Sequence, residues 1–174
     1  MANKYRYMSA VGQLDPMACW AACLKWWLKA VKSVNKSQKG LIGKYNHLTD
    51  EFGGMPDSAI QHIITDNGML REAFFNASDF TVDAIKARLA YSPIYTAYTE
   101  TPTNKKHVNV IYDVSGTGSS ARVWTMEPEF ETNDDFTAKG KHLQKPLSDF
   151  NALGTVYIGS TMPSLWDTVS GWFD

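Results

Sequence analysis

The segment at residues 17–32 constrains the fold of this chain more than any other part of the sequence. It reads M-A-C-W-A-A-C-L-K-W-W-L-K-A-V-K, and its charged positions are Lys25, Lys29 and Lys32. At helical spacing these three lysines form one narrow stripe, while every other position is apolar or small. Such a helix is buried on most of its sides, so the rest of the chain must fold around it. Asp15 and Pro16 are a typical N-cap and first helical residue, and they predict that the helix begins there.

The other segments predict helices first and strands afterwards. Three weaker helices are predicted, over residues 37–50, 56–67 and 81–90. After Pro93 come strand-forming runs at residues 94–98, 107–114, 122–126 and 155–158, with a hairpin loop at residues 116–120. This order predicts an α+β fold in which the buried N-terminal helix packs against an antiparallel β-sheet. A short amphipathic helix is expected at residues 164–173.

The length and charge limit what the protein can be. A chain of 174 residues and 19.5 kDa is typical of a single domain, with a core over about residues 10–160 and a tail at residues 161–174. Lys plus Arg number 17 against 18 Asp plus Glu, and a pI of about 6.4 argues against a protein that binds nucleic acid through a basic face. No stretch approaches the ~18 consecutive apolar residues of a membrane span, and the N-terminus has no apolar signal-peptide core. Neither nucleic acid nor a membrane is therefore expected as a partner.

The cysteines and histidines argue against a disulfide-stapled fold and against a metalloprotein. Cys19 and Cys23 are one helical turn apart, so a disulfide between them would close only a tiny loop and stabilise little. Reduced thiols and a reducing compartment are the expectation. The four histidines are widely scattered, at positions 47, 62, 107 and 142, without the spacing of a metal site. We therefore expect no metal and no cofactor.

Cys19 is the first candidate for catalysis. It falls in the first turn of the predicted helix, where the helix dipole and the free N–H groups favour a thiolate. A small buried thiol, which is what we expect of Cys23, is the alternative. Gln13 lies six residues earlier, in the segment leading into the helix, where its side-chain amide can join the Cys19 N–H in an oxyanion hole. Trp20 follows the cysteine directly and is expected to wall the site and contact substrate.

His107 and Glu127 are the candidate base and orienting acid. His107 opens the predicted strand H-V-N-V-I-Y-D-V, so its imidazole should lie at the rim of the sheet, within reach of a helix N-terminus. Glu127 ends the neighbouring strand, where a carboxylate can bond the far ring nitrogen and fix the tautomer. Strand alternation puts Asn109 on the same face as His107, where it would line the cleft and contact substrate. Two residues of the following loop, Asn133 and Asp134, remain alternatives to Glu127.

In order along the chain, Gln13, Cys19-Trp20, His107 and Glu127-Pro128 resemble the functional residues of papain-like cysteine peptidases. The stretches I-Q-H-I-I-T-D-N-G, V-D-A-I-K-A-R-L, S-P-I-Y-T-A-Y, H-V-N-V-I-Y and M-E-P extend the likeness, which is collinear over about residues 13–128. The chain is most similar to the compact bacterial branch that removes double-glycine leaders, and to related secreted effector proteases. The resemblance implies a papain-like fold in which Cys19 attacks a peptide carbonyl and His107 moves the proton. Glu127 would orient His107, and Gln13 would stabilise the oxyanion.

Two features depart from the pattern of that family. Where these peptidases usually have Asp or Asn as the orienting residue, this chain has Glu127, with one methylene more. The segment at residues 129–145, rich in Glu, Asp, Thr and Lys, does not match the pattern. It is either an insertion that bounds the substrate cleft or a solvated loop, and its composition favours the loop.

The resemblance also suggests a substrate and a setting. We expect a protein or peptide substrate, cut after small residues such as Gly-Gly. The small size, the full catalytic set and the lack of a visible propeptide suggest a bacterial effector or toxin, neutralised at home by an immunity protein that covers the cleft. Such a protein would be cytoplasmic in its producer and exported into a target cell by a route that needs no signal peptide. A Cys-His amidase, deamidase or acyltransferase, for example one that hydrolyses cell-wall amides, is the alternative, and an inactive papain-shaped binding module is the third hypothesis.

Overall fold

Helix α1 (Cys19–Lys32) lies in the core of the molecule, as its sequence predicts. Its buried residues are Trp20, Ala21, Ala22, Cys23, Leu24, Trp26, Trp27 and Leu28. The computed structural model describes residues 3–51, 53–101, 103–132 and 138–161. The predicted helix at residues 164–173 and the two alternative acids, Asn133 and Asp134, lie outside the described residues.

The start of α1 differs from the prediction. Ala18 is the N-cap residue and Cys19 the first helical residue, so the helix does not begin at Pro16. Asp15 instead accepts two hydrogen bonds in a turn before the helix, one from the Met17 N–H to Oδ1 at 2.9 Å and one from the Ala18 N–H to its carbonyl at 3.1 Å. This turn satisfies the capping chemistry of Asp15 without starting a helix. It leaves the cysteine at the very first helical position.

Three further helices lie within the predicted ranges, and a short fourth was not predicted. They are α2 (Gln38–Tyr45), α3 (Asp57–Asp66), α4 (Val82–Leu89) and α5 (Ser148–Asn151). The side chains of Ser37 and Thr81 cap α2 and α4 by accepting from the N–H groups of Gly40 (3.0 Å) and Ala84 (3.3 Å). Helix α2 ends before its predicted limit, and a 3₁₀ turn (Asn46–Leu48) follows it. In the described part of the chain, no helix combines the length and the apolar character that crossing a membrane requires.

The described strands form one antiparallel sheet. In chain order they are β1 (Leu70–Phe74), β2 (Ile94–Glu100), β3 (Lys105–Ser115), β4 (Arg122–Thr132), β5 (Ala138–Pro146) and β6 (Val156–Ser160). Their order in space is β1-β6-β2-β3-β4-β5, and each neighbouring pair is antiparallel, as predicted for an α+β fold. The two edge strands, β1 and β5, are the ones that the sequence did not predict.

The β4–β5 hairpin corrects the interpretation of residues 129–145 as a solvated loop. Strand β4 continues to Thr132, and β5 pairs with it from its first residue to its last. Because β5 is an edge strand, it exposes Lys139 and Lys141 to solvent, and this gives its sequence the polar composition of a loop. The segment is therefore part of the sheet. Not all of its side chains point to solvent, since Leu143 and Lys145 line a cleft.

The sheet separates two apolar layers. On one face, Tyr95 and Val110 belong to the cluster that contains α1, α2 and α3. On the other face, their strand neighbours Ile94 and Ile111 pack in a second cluster with α4 and α5. Successive residues of β2 and β3 thus alternate between the layers, as the pleat of a strand requires. Helix α1 packs against β3, and this contact positions the site described next.

Candidate active site

Cys19 lies half-buried at the N-terminus of α1 and lines a cleft of about 1180 Å³. The N-cap residue is Ala18, whose side chain cannot accept a hydrogen bond from the first turn. The free N–H groups at such a helix end carry a partial positive charge, which favours an anion such as a thiolate. The fold therefore presents a thiol to the cleft with backbone donors beside it.

His107 interacts with both the thiol and a carboxylate. Its Nε2 forms a hydrogen bond of 2.6 Å with Glu127 Oε1, and the ring lines the same cleft as Cys19, which together with Glu127 raises the pKa of the ring. Since Nε2 is engaged by the carboxylate, Nδ1 is the ring nitrogen left for the thiol. Strand β3 begins at Lys105, slightly before its predicted start, so His107 lies inside the strand. The ring of Tyr98, its cross-strand partner, packs edge-on against it with 6.0 Å between the centroids.

Glu127, on β4, takes part in four hydrogen bonds with other described residues. Oε1 contacts His107 and accepts from the Glu129 N–H at 3.2 Å. Oε2 accepts from Asn109 Nδ2 at 2.8 Å and from Lys145 Nζ at 3.1 Å. Burial would raise the pKa of Glu127, but the hydrogen bond and charge of His107, helped by Lys145, outweigh burial and lower the pKa to about 2. The carboxylate is therefore ionised at neutral pH.

The same contacts keep the imidazole protonated. Burial alone would lower the pKa of His107, but the hydrogen bonds with Cys19 and Glu127, and the charges of both, raise it to about 10. An imidazolium beside a sulfur nucleophile is a proton donor for the group that the sulfur displaces. The arrangement can supply a sulfur nucleophile and a proton donor to the same substrate.

Gln13 lies near the site but does not line the cleft. Its side chain is buried, and Nε2 donates to the carbonyl of Pro16 at 3.2 Å. The β4–β5 hairpin holds its backbone, since the Gln13 N–H donates to Pro128 O at 3.1 Å and its carbonyl accepts from the Ala138 N–H at 3.0 Å. Within the described residues, Gln13 Oε1 is buried without a hydrogen-bond partner. The amide is thus anchored behind the turn that precedes α1.

The two residues predicted to contact substrate have different positions. Trp20 lines the cleft, although its side chain is almost fully buried and its ring packs edge-on against Tyr45. Asn109 is fully buried and does not line the cleft; it donates to Glu127 and accepts from the Tyr98 hydroxyl. The expectation that Asn109 lines the cleft therefore does not hold. Its place two residues further along β3 than His107 puts it on the same face but deeper in the molecule.

Sequence reasoning missed three residues beside the acid, namely Lys145, Glu100 and Tyr98. Lys145 Nζ reaches Glu127 Oε2 at 3.1 Å and Glu100 Oε1 at 2.7 Å from the edge strand β5. The signal that could have revealed Lys145 is its period-two spacing from Leu143, which puts both side chains on one face of a strand. Both of them line the cleft. The polar composition of the segment hid this alternation.

Cys23 has the buried position that its sequence predicts. Its side chain has no exposed surface, and Sγ donates to the carbonyl of Val108 at 3.1 Å. Burial raises the pKa of the Cys23 thiol well above its ordinary value, and the nearby charges of Cys19 and Glu127 add to the effect. Both cysteines are free thiols. Across the described ranges, no three His, Cys, Asp or Glu side chains gather as metal ligands would.

Comparison with known proteins identifies both the fold and the family. Residues 4–151 match the model of the family described as papain-like cysteine protease AvrRpt2. The chain is similar to the peptidase domain of Streptococcus ComA, a bi-functional ABC transporter involved in a quorum sensing pathway, with a TM-score of 0.56, 14% identity, and 88% of this chain and 98% of that chain covered. It is also similar to a double glycine motif protease from an AMS/PCAT transporter in complex with the leader peptide, with a TM-score of 0.53, 15% identity, and coverages of 90% and 94%. No curated protein matches the sequence significantly.

At such low identity the two solved structures establish the fold alone. They confirm the predicted papain-like α+β fold, with a buried N-terminal helix against an antiparallel sheet. The family model adds the sequence relationship, and its match over residues 4–151 spans most of the chain. The chain therefore belongs to the family described as papain-like cysteine protease AvrRpt2, and it is a papain-like cysteine peptidase.

Proposed function

We propose that this peptidase cuts peptide bonds in a protein or peptide substrate through a thioester on Cys19, with His107 as general base and acid. The observation that carries the proposal is the position of the His107 ring, which lines the same cleft as Cys19 and is held by Glu127 Oε1 at 2.6 Å. A nucleophile, a base within hydrogen-bond reach and a third group that orients the base are the parts that covalent acyl transfer requires.

In the first step, Cys19 Sγ attacks the substrate carbonyl carbon, a C–S bond forms, and negative charge moves to the carbonyl oxygen. The Cys19 N–H, at the first position of α1, is one donor for this oxyanion. Gln13 Nε2 is the second: besides the hydrogen donated to Pro16 it carries another. Because Gln13 does not line the cleft, this contact needs a small movement of the Pro16 turn when substrate binds.

In the next steps, the tetrahedral intermediate collapses and the C–N bond breaks. The His107 imidazolium donates its proton to the departing amine, which leaves the acyl group on Cys19 as a thioester. Water then attacks the thioester while His107 accepts a proton from it, and the C–S bond breaks to release the carboxylic acid. Throughout, Glu127 holds the imidazole with Nδ1 towards the sulfur.

The lining of the cleft suits an extended peptide. Its apolar part comes from α1, the segment before α3, α3 itself, β2 and β3, through Trp20, Met55, Ile60, Ala97 and Val108. Its rim is charged, and Lys106 Nζ pairs there with Asp57 Oδ1 at 2.9 Å. A peptide presents both apolar side chains and polar groups to such a surface. We assign Trp20 the role of a wall against the residues next to the cut.

A preference for small residues before the cut, such as Gly-Gly, is part of the proposal. It is supported by the likeness to a double glycine motif protease that was solved with its leader peptide. The proposed setting is that of a bacterial effector, made in the cytoplasm of its producer and active in a target cell, with an immunity protein that covers the cleft. The support for this setting is the small size of the chain, which carries the full proposed catalytic set of Gln13, Cys19, His107 and Glu127 within 174 residues.

New protein N-termini provide the test. Cells expressing the wild-type chain, Cys19→Ala or Cys23→Ala are compared, and N-terminal peptides are identified by mass spectrometry. We expect new termini with the wild type and with Cys23→Ala, but none with Cys19→Ala, and small residues before each cut. An identical set of termini with and without Cys19 would overturn the proposal. A growth defect that depends on Cys19 would support the effector setting, and its absence would count against that part alone.

A further inference from the structure

We propose that Lys145 is a positioning residue for the reaction, which holds Glu127 in the orientation that His107 needs. The inference rests on the proposed function, because it takes Cys19 and His107 as the reacting pair. Nothing in the motif pattern of the sequence assigns Lys145, since it lies in the segment beyond the resemblance. What assigns it is its place in the structure.

Lys145 is a charged side chain held inside the site and not on its surface. Its side chain is 15% exposed, while that of Glu127 is 4% exposed. The ammonium bridges two carboxylates, Glu127 Oε2 at 3.1 Å and Glu100 Oε1 at 2.7 Å. It also lies 3.5 Å from the Tyr98 hydroxyl. Removing a cation from water is costly unless it is paired and hydrogen-bonded, and these three contacts supply the pairing.

The contacts of Glu127 explain why the ammonium is needed. Glu has one more rotatable bond than Asp, so more contacts are required to keep its carboxylate in one orientation. Oε1 is occupied by His107 and the Glu129 N–H. The opposite oxygen, Oε2, is held by Asn109 and Lys145. Donors on both oxygens fix the rotation of the carboxylate, so Oε1 stays aimed at the imidazole.

Charge balance gives a second reason. Without the ammonium, Glu127 and Glu100 would be two neighbouring carboxylates with no cation between them, and each would disfavour the ionised form of the other. The position of Lys145 between them removes that repulsion. Protonation of Glu127 would take away the negative charge that stabilises the His107 imidazolium. Lys145 therefore acts on the thiol–imidazole pair through Glu127.

The Asn109 side chain completes the support from the other side. It donates to Glu127 Oε2 at 2.8 Å and accepts from the Tyr98 hydroxyl, which Lys145 also approaches. Tyr98 thus links the two donors that hold Oε2. The cluster is built from three adjacent strands, β2, β3 and β4, and closed by the edge strand β5. The insertion-like hairpin is what brings the ammonium to this place.

The test uses the rate at which iodoacetamide alkylates Cys19 between pH 4 and 9, with the label located by mass spectrometry. This readout needs no knowledge of the substrate. We expect Lys145→Met to slow alkylation at pH 6 by about tenfold, the effect of losing a charged hydrogen bond. The acid limb of the profile should also move to higher pH, because loss of a cation makes every nearby acid harder to ionise. Lys145→Arg keeps the positive charge, so the acid limb of its pH profile should stay at the wild-type pH.

The control variant is Lys44→Met, which removes a lysine on α2 from its ion pair with Asp66 on α3, outside the cleft. It should leave both the rate and the limb unchanged. Thermal unfolding identifies a variant that fails to fold, and Lys145→Gln, which keeps a donor without the charge, then replaces Lys145→Met. The inference would be overturned if the folded variant without the charge, Lys145→Met or Lys145→Gln, kept the wild-type alkylation rate and the wild-type acid limb of the pH profile.

A double-mutant cycle separates this inference from the proposed function. If Lys145 acts through Glu127, Lys145→Met should change the alkylation rate less than about twofold in a Glu127→Gln background. An undiminished, additive effect would mean that Lys145 acts independently of Glu127, and would overturn the inference. If Glu127→Gln alone leaves Cys19 alkylation unchanged, the failure belongs to the proposed role of Glu127 in the function.

Discussion

Cys19 and Cys23 lie one turn apart on the same helix, yet their surroundings are opposite. Cys19 is half-buried, lines the cleft and raises the pKa of the His107 side chain beside it. Cys23 has no exposed surface, and its thiol donates to the main-chain carbonyl of Val108. The two partners are consecutive residues of β3. One step along the strand and one turn along the helix therefore separate the thiol proposed as the nucleophile from a fully buried one.

The difference has two sources, the start of the helix at Cys19 and the strand that faces both cysteines. Along β3, side chains alternate between faces while carbonyls lie within the sheet. His107 turns its imidazole to the helix terminus, whereas Val108 offers Cys23 a neutral carbonyl. The first thiol gains a partner that stabilises its charged form, and the second gains a partner that accepts only from its protonated form. Burial then adds to this by raising the pKa of Cys23.

Replacing each cysteine in turn by alanine should show the largest difference in activity between two variants. Cys19→Ala removes the proposed nucleophile and is expected to lower substrate cleavage by at least about 10³-fold. Cys23→Ala removes one sulfur atom and one hydrogen bond from the core, at a cost of about 1 kcal/mol in unfolding free energy, with cleavage nearly unchanged. Cleavage assays on a peptide taken from the new termini, and denaturant unfolding, measure the two quantities. Equal losses of cleavage activity in Cys19→Ala and Cys23→Ala would contradict the assignment of Cys19 as the nucleophile.

The next largest effect should be a change in the pKa of His107 when one of its partners is replaced. The hydrogen bonds with Cys19 and Glu127 outweigh burial and raise the pKa of His107 to about 10, so its ring is charged at pH 7. Cys19→Ala and Glu127→Gln each remove one contact and should lower the pKa of His107, whereas Cys23→Ala should leave it where it is. NMR of ¹⁵N-labelled histidine between pH 5 and 11 measures this. A wild-type ring that titrates at an ordinary histidine pKa would contradict the proposed charge pair.

The sign of the linked stability change follows from the same values. The pKa of His107 in the folded protein lies above the ordinary histidine value of 6.5, so its pairing stabilises the fold fully below about pH 6.5 and is lost as the pH rises through about 10. The pKa of Glu127 is lowered to about 2, so its contribution is present above the ordinary glutamate value of 4.5 and is lost as the pH falls through about 2. Both contributions are complete only between about pH 4.5 and 6.5.

The smallest effect on the Cys19 site should come from a change where the N-terminal segment crosses closely over β5. A Cβ on Gly140 would lie 2.4 Å from the carbonyl carbon of Val11, so Gly140→Ala must push the segment that carries Gln13 away from the hairpin. We expect a loss of about 1–3 kcal/mol in unfolding free energy and a slower alkylation of Cys19, with Cys23 still protected. Urea unfolding and mass spectrometry of the label measure the two changes.

The matched control for that change is Gly43→Ala on α2, where no described atom beyond the adjoining residues and helix backbone lies within 4 Å of the added Cβ. Alanine is a better helix former than glycine, so this variant should be more stable by up to about 1 kcal/mol. Slower alkylation in both glycine variants would show that the Cys19 site does not depend on the β5 crossing in particular.

Much of the fold could be predicted from local patterns. The apolar helix with its lysine stripe, the capped helices and the central strands each carry a period or a cap that is visible in a short window. The two edge strands, β1 and β5, carry no such local signal. Strand β1 (Leu70–Phe74) pairs with β6 from the far end of the chain, and β5 has the polar composition of a solvated segment. Their pairing depends on partners that are distant in the sequence.

The candidate site divides in the same way. Cys19, His107 and Glu127 were predicted from their order and from the elements that carry them, and the structure brings all three to one cleft, with His107 bonded to Glu127. Lys145 and the supporting role of Asn109 were not predicted, because what matters for each is its distance from Glu127. A charged or polar residue on a strand has no local feature that distinguishes burial beside a partner from exposure to water.

By itself the sequence determined that a helix would be buried at the centre and that a thiol would lie near its start, since both follow from residue types within one short segment. Only the tertiary structure decided where that helix begins, at Cys19 and not at Pro16, and which cysteine faces a charge partner. It also decided that a lysine from the edge hairpin reaches the acid. The physical reason is that hydrophobic periodicity is local, whereas electrostatic interactions depend on distances that only the packed strands establish.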